Sequence, residues 1–154
     1  MIELDAIDGR ILAALQADGK LSQRELADKV GLSQNACWRR LQRLHNEDVI
    51  SGYRAILNHD ALGLDLSVFM LIRTREHALD WAEAFKKHVA KIPEITEMHR
   101  IGGDWDYLLK VVTTSMSGYD SVYQRLTAGV ALDTVTGLFS METILSDRPL
   151  DIRR

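Results

Sequence analysis

The sequence predicts an α+β chain in two parts, three short helices followed by a ferredoxin-like βαββαβ sandwich, and three observations carry that expectation. Apolar residues recur at three-and-four spacing from Leu4 to Leu44, the pattern of helices that each bury one face. From Leu66 onward, runs rich in Val, Ile, Thr and aromatics alternate with two further helical stretches, in the order β-α-β-β-α-β. A chain of 154 residues with 46% hydrophobic content suits one ordinary domain or two small ones sharing an interface.

The elements follow in order. In "LDAIDGRILAALQADG", Leu4, Ile7, Ile11, Leu12 and Leu15 share a helical face, Asp5 and Asp8 sit where a helix dipole favours anions, and the helix should end at Asp18-Gly19. Gly9 inside it costs about 1 kcal/mol against Ala. "SQRE", Ser22 to Glu25, fits a capping box, Leu26, Ala27 and Val30 form an apolar stripe, and Gly31 is the stop. Ser33 caps a third helix expected over Gln34 to His45. "VISGYRAIL" then reads as extended and "NHDALGLD" as a connector. "LSVFMLIRT", "EITEMHRIG", "WDYLLKVVT" and "TVTGLFSMETIL" read as strands, with helices in "HALDWAEAFKKHVAKI" and "SMSGYDSVYQRLTA". The implied domains are 1–50, an extended linker 51–64, and 65–154.

Composition narrows the function classes. "MIELDAIDGR" lacks the basic and apolar regions of a signal peptide, and no apolar run approaches the ~18 residues of a membrane span, so a cytoplasmic protein without a membrane partner is expected. The single cysteine, Cys37, cannot form an intrachain disulfide, in keeping with a reducing compartment. The formal net charge is −3, and neither half is basic: residues 1–60 hold eight Lys/Arg against nine Asp/Glu, and residues 61–154 hold eleven against thirteen. A nucleic-acid surface must therefore be a local patch. The stretch from Ser33 to Asn46 supplies one, with three Arg and no acid.

At 100° per residue, Cys37, Leu41 and Leu44 fall on one side of that third helix, the buried one. Asn35, Trp38, Arg39, Gln42 and Arg43 fan out opposite. Arg forks onto guanine, Asn and Gln pair with adenine, and all reach phosphates. A Ser-capped helix N-terminus adds backbone donors. With the preceding short helix and the Gly-containing turn, this is a helix-turn-helix whose recognition helix begins at Gln34. A solvated amphipathic helix is the bland alternative, but solvated faces mix charge signs and leave Trp38 unexplained. The candidate DNA contacts are Ser33, Gln34, Asn35, Trp38, Arg39, Arg40, Gln42 and Arg43, with Arg40 and Arg43 expected on phosphates or neighbouring backbone. Cys37, on the core side, reads as a small buried hydrophobe rather than a redox sensor.

A second cluster is "IGGDWDYLL". Gly102 and Gly103 let the backbone approach a ligand and offer N–H groups to a carboxylate, while Asp104 and Asp106 attract an ammonium group. A zwitterionic amino acid meets both demands; a tight hairpin with solvated Asp residues explains the same letters. Catalysis and metal binding find no support. The His residues at 45, 59, 77, 88 and 99 show no ligand spacing, and no Gly-x-Ser-x-Gly or phosphate-loop pattern appears. Neither enzyme activity nor a cofactor is expected.

The chain resembles the Lrp/AsnC, or feast/famine, transcriptional regulators nearly end to end. The resemblance rests on "LDAIDGRILAALQADGKLSQRELADKVGLSQNACWRRLQRL", "VISGYRAILN", "GGDWDYLLKV" and "FSMETIL". It implies an N-terminal helix-turn-helix that binds double-stranded DNA, a linker, and a C-terminal domain that dimerises, often assembles into octamers, and binds an amino-acid effector between dimers. The family's Gly-x-x-Asp-Tyr pattern falls on Gly103, Asp106 and Tyr107, and its last strand would bring Leu138 and Ser140 to that site. Two departures stand out. Asp48 replaces the Gly that commonly follows the recognition helix, and Gly9 replaces a better helix former. An architectural DNA-bending protein with little effector response is the alternative reading.

Overall fold

The computed structural model describes residues 3–152, in two compact units. The first comprises the chain up to Ile56 together with the segment from Leu145 onward; the second is Leu57–Ile144. The division between the units falls inside the expected linker 51–64, and the segment after Ile144, expected in the domain 65–154, groups with the helical unit.

In the first unit, α1 (Ala6–Ala17), α2 (Gln23–Val30) and α3 (Gln34–Asn46) form as their caps dictate. The Asp5 and Ser22 side chains each accept from the backbone N–H three residues on, and Asp8 and Glu25 reach back to complete capping boxes. Ser33 Oγ accepts from Ala36 N at 3.3 Å. Such caps contribute about 1 kcal/mol each. Gly31 (φ 72°) and Asp48 (φ 53°) both adopt the left-handed conformation that ends a helix. At the end of α3, Asp48 N donates to His45 O and Val49 N to Leu44 O, the paired bonds of a Schellman motif. The family's Gly position is therefore filled by an Asp that takes up the glycine conformation.

The core of this unit is Ile11, Leu12 and Ala14 from α1, Leu26, Ala27 and Val30 from α2, and Cys37 and Leu44 from α3. Leu41, expected on the buried face, is half-buried. No strand forms among the unit's described residues; the chain from Ser51 to Ile56 carries neither helix nor ladder. The C-terminal segment docks onto this unit. Leu150 gives its N–H to Gln16 Oε1 (2.7 Å) and accepts from Gln16 Nε2 (3.2 Å), Arg54 pairs with Asp147 (3.1 Å), and Ile152 packs on the core.

The second unit is an antiparallel four-stranded sheet in the order β2-β3-β1-β4, built from β1 (Leu66–Arg73), β2 (Ile95–Arg100), β3 (Tyr107–Thr113) and β4 (Thr134–Phe139). Helices α4 (Leu79–Val89) and α5 (Met116–Thr127) cover one face. Alternation sorts β1: Val68, Met70 and Ile72 are buried against Phe85, Val89, Val122 and Leu126, while Phe69 and Leu71 turn to the other face and are only half-buried. This is the expected ferredoxin-like βαββαβ topology.

β4 stops earlier than its sequence pattern suggests, at Phe139 rather than near Leu145. Its partner runs out: Val68 pairs with Phe139, Ser67 O accepts once more from Ser140 N, and β1 begins at Leu66. Without a neighbour, "MET" and "IL" cannot continue the ladder.

Candidate nucleic-acid interface and effector loop

Helix α3 presents Ser33, Gln34, Asn35 and Arg39 to solvent, and Trp38 is 46% exposed. Trp38 also lines an apolar groove with Leu15, Leu21, Leu26, Leu41 and Tyr53. The ring is thus part of the groove wall and about half exposed. Cys37 is wholly buried, and burial raises its thiol pKa, so it is held as the unreactive protonated form.

Arg40 and Arg43 sit differently from expectation. Three residues apart on α3, they lie over the start of α1, where Arg40 Nη1 meets Asp5 Oδ2 at 2.7 Å and Asp8 Oδ1 at 2.9 Å, and Arg43 Nη2 bonds Asp8 Oδ2. The Asp8 side chain has no exposure. Asp5 is lowered to about 2, first by the backbone N–H of Asp8 and then by the Arg40 guanidinium. Two of the three arginines expected on DNA are thus counter-charges of α1 carboxylates. Gln42 is half-buried, and Arg39 is the exposed arginine of the set. The carboxylates were visible in the sequence as helix-start residues; a pairing across 32 residues was not.

In the second unit the loop between β2 and β3 is closed by Ile101 N donating to Asp106 O at 2.9 Å. Gly103 has φ 105°, a conformation that strains any L side chain, and a Cβ at Gly102 or Gly103 would meet nothing within 4 Å. The backbone here is open to an approaching group. Asp106 Oδ2 accepts from Thr74 N at 2.8 Å, and its Oδ1 faces His77 Nδ1 at 3.9 Å. Arg73 donates from Nε to the Asp104 backbone O at 2.8 Å and lies 4.9 Å over the Trp105 ring. Arg73, Thr74 and His77 were missed from sequence. Their signal is topological, since β1 and β3 pair antiparallel and the end of β1 meets the start of β3 at Ile72 and Tyr107.

The other residues expected at this site do not gather there in one chain. Tyr107 is buried on the helix-covered face, its ring 5.2 Å from Phe85 and 6.2 Å from Trp81. It belongs to the core, because it alternates with Leu109 and Val111. Leu138 pairs with Phe69 and Ser140 bonds Ser67. Those β1 positions lie four and six residues from Arg73, roughly 13 and 20 Å at the rise of a strand. Leu138 and Ser140 therefore stand toward the far end of the sheet from the glycine loop.

Comparison with known proteins accounts for both units. Residues 67–150 match the Lrp/AsnC ligand binding domain, and residues 4–51 match a winged helix-turn-helix DNA-binding family. The glutamate uptake regulatory protein of Zymomonas mobilis is 42% identical over 142 residues, 92% of this chain and 87% of that protein. The crystal structure of an AsnC family transcriptional regulator from Agrobacterium tumefaciens superposes with a TM-score of 0.89 at 38% identity, covering 93% of this chain and 94% of the other. A transcriptional regulator from Neisseria meningitidis in complex with L-Met gives 0.89 at 31% identity, covering 96% of each chain. With a helix-turn-helix unit ahead of a ferredoxin-like ligand-binding domain, the chain belongs to the Lrp/AsnC family of DNA-binding transcriptional regulators.

Proposed function

We propose that this chain is a sequence-specific, amino-acid-responsive regulator, cytoplasmic and non-catalytic, whose dimer offers two recognition helices to half-sites of a roughly palindromic duplex. Gln34, Asn35, Trp38 and Arg39 read bases or sugars, and Ser33 with the α3 N-terminus holds a phosphate. The effector's carboxylate is bound by the Gly102 and Gly103 amides. Its ammonium is bound by Asp106 Oδ1, the oxygen not taken by Thr74 N. Asp104 adds negative charge at the loop.

The observation that carries the effector reading is the separation of the glycine loop from Leu138 and Ser140 along the sheet. Residues that line one site in the family but stand far apart in one copy can share a ligand when two copies meet. That supports a site between protomers and a ligand that shifts the population of assemblies, hence the spacing of recognition helices. The class of ligand is supported by the L-Met bound to the Neisseria relative and by the zwitterion chemistry of the loop.

The test is a thermal-shift screen of the full chain against the twenty amino acids. A ligand at 100 times its Kd adds about 2.7 kcal/mol of native-state stability. One or a few amino acids should raise the melting temperature, and Asp106→Asn, which keeps an acceptor for Thr74 N but removes the charge, should abolish the shift while DNA binding persists. A shift that survives Asp106→Asn would place the ligand elsewhere. A flat screen, with one phosphate-dominated salt slope on unrelated duplexes, would favour the architectural reading.

A further inference from the structure

The pairing of α1 with α3 goes beyond what holding two helices together requires. An apolar contact of the same volume commonly does that as well as a buried ion pair. Here a fully buried carboxylate, Asp8, is placed under the DNA-binding helix and engages two of its three arginines, with Asp5 on the first of them. Arg43 is drawn in far enough to leave its Nε buried without a hydrogen-bond partner among the described residues. That arrangement costs something a solvent-facing or phosphate-facing guanidinium would not lose. The two acids and two arginines cancel, so the positive charge that α3 presents from its arginines is that of Arg39.

We propose that Asp8, backed by Asp5, is a specificity-determining positioning residue for DNA binding: it withholds Arg40 and Arg43 from phosphates and sets the angle of the recognition helix on α1. Each arginine freed onto a phosphate would add about 0.9 to the slope of log affinity against log salt, whatever the sequence. Held back, the pair contributes nothing to indiscriminate binding. Discrimination then rests on Arg39 and the polar residues in the first half of α3. The proposal rests on DNA binding by this helix-turn-helix and adds which of its cations are out of use.

The experiment measures binding of the full chain to a mixed-sequence DNA duplex over a series of salt concentrations, for the wild type, Asp8→Asn and Arg40→Gln. Asp8→Asn keeps the shape and removes the charge. It should bind this duplex more tightly and steepen the salt slope by about 1–2 for each recognition helix engaged. Arg40→Gln should leave the wild-type slope unchanged. An unchanged or shallower slope in a cooperatively folded Asp8→Asn protein would overturn the proposal and leave the cluster a helix clamp. Should Asp8→Asn fail to fold, Arg40→Gln decides: a slope shallower by about 0.9 for each recognition helix engaged makes Arg40 a phosphate contact and overturns the proposal, and an unchanged slope upholds it.

Discussion

Asp48 shows how a single residue can depart from a family pattern and keep the local structure. Its φ of 53° is the left-handed conformation that glycine adopts freely and an L side chain adopts at a cost. The Schellman bonds to His45 and Leu44 hold it there. Asp48→Gly should therefore stabilise the protein by about 0.5–1 kcal/mol, read as a higher urea midpoint at unchanged m-value. Asp5 yields a prediction in pH. Its folded pKa of about 2 lies below the ordinary 3.8, so the stability it contributes is complete above 3.8 and is lost as pH falls toward 2. The stability gap between wild type and Asp5→Asn should accordingly narrow as pH falls across that window. A gap independent of pH would mean that the Asp5 charge contributes nothing. At this scale the sequence was legible where a residue acts on its own neighbours, as in the caps at Asp5, Ser22 and Ser33. It was silent where partners come from afar, as with Asp8 and Arg43.

At the scale of elements, periodicity located the three helices of the first unit and the four strands and two α-helices of the second, because each buries one face and its apolar spacing records which. The end of β4 was the exception. A strand is defined by its neighbour as much as by its residues, and the apolar letters beyond Phe139 outlast the length of β1 that could pair with them. The freed chain continues to the helical unit, where the Gln16 carboxamide copies a strand edge by both donating to and accepting from Leu150. Gln16→Leu should remove both bonds and leave α1 intact. The Leu150 amide should then exchange with deuterium about tenfold faster, matching a loss of about 1–1.5 kcal/mol. Unchanged exchange would mean that Ile152 and Arg54 hold the segment without Gln16.

At the scale of a whole unit, one face of the sheet carries α4 and α5, and no α-helix among the described residues of that unit covers the other. Phe69 and Leu71 lie half-buried on that bare face, with Leu108 and Leu138 paired beside them. In the dimer proposed above, this apolar surface is the face assigned to the second copy. Phe69→Glu should weaken self-association by more than tenfold, at least about 1.4 kcal/mol, measured as a fall in mass by light scattering at fixed concentration with the circular dichroism retained. A variant of unchanged mass would move the interface off this face. By itself the sequence determined which segments are helix and strand, the topology of the second unit, the capped recognition helix and the open glycine loop. All of these follow from local periodicity and turn chemistry. Only the tertiary structure decided that Arg40 and Arg43 pair with Asp8, that Tyr107 is core, that Leu138 and Ser140 stand apart from Gly103, and that the C-terminal segment returns to α1. Each of these is a meeting of residues distant in the chain, and no local pattern encodes which distant charge or strand edge will be there to meet them.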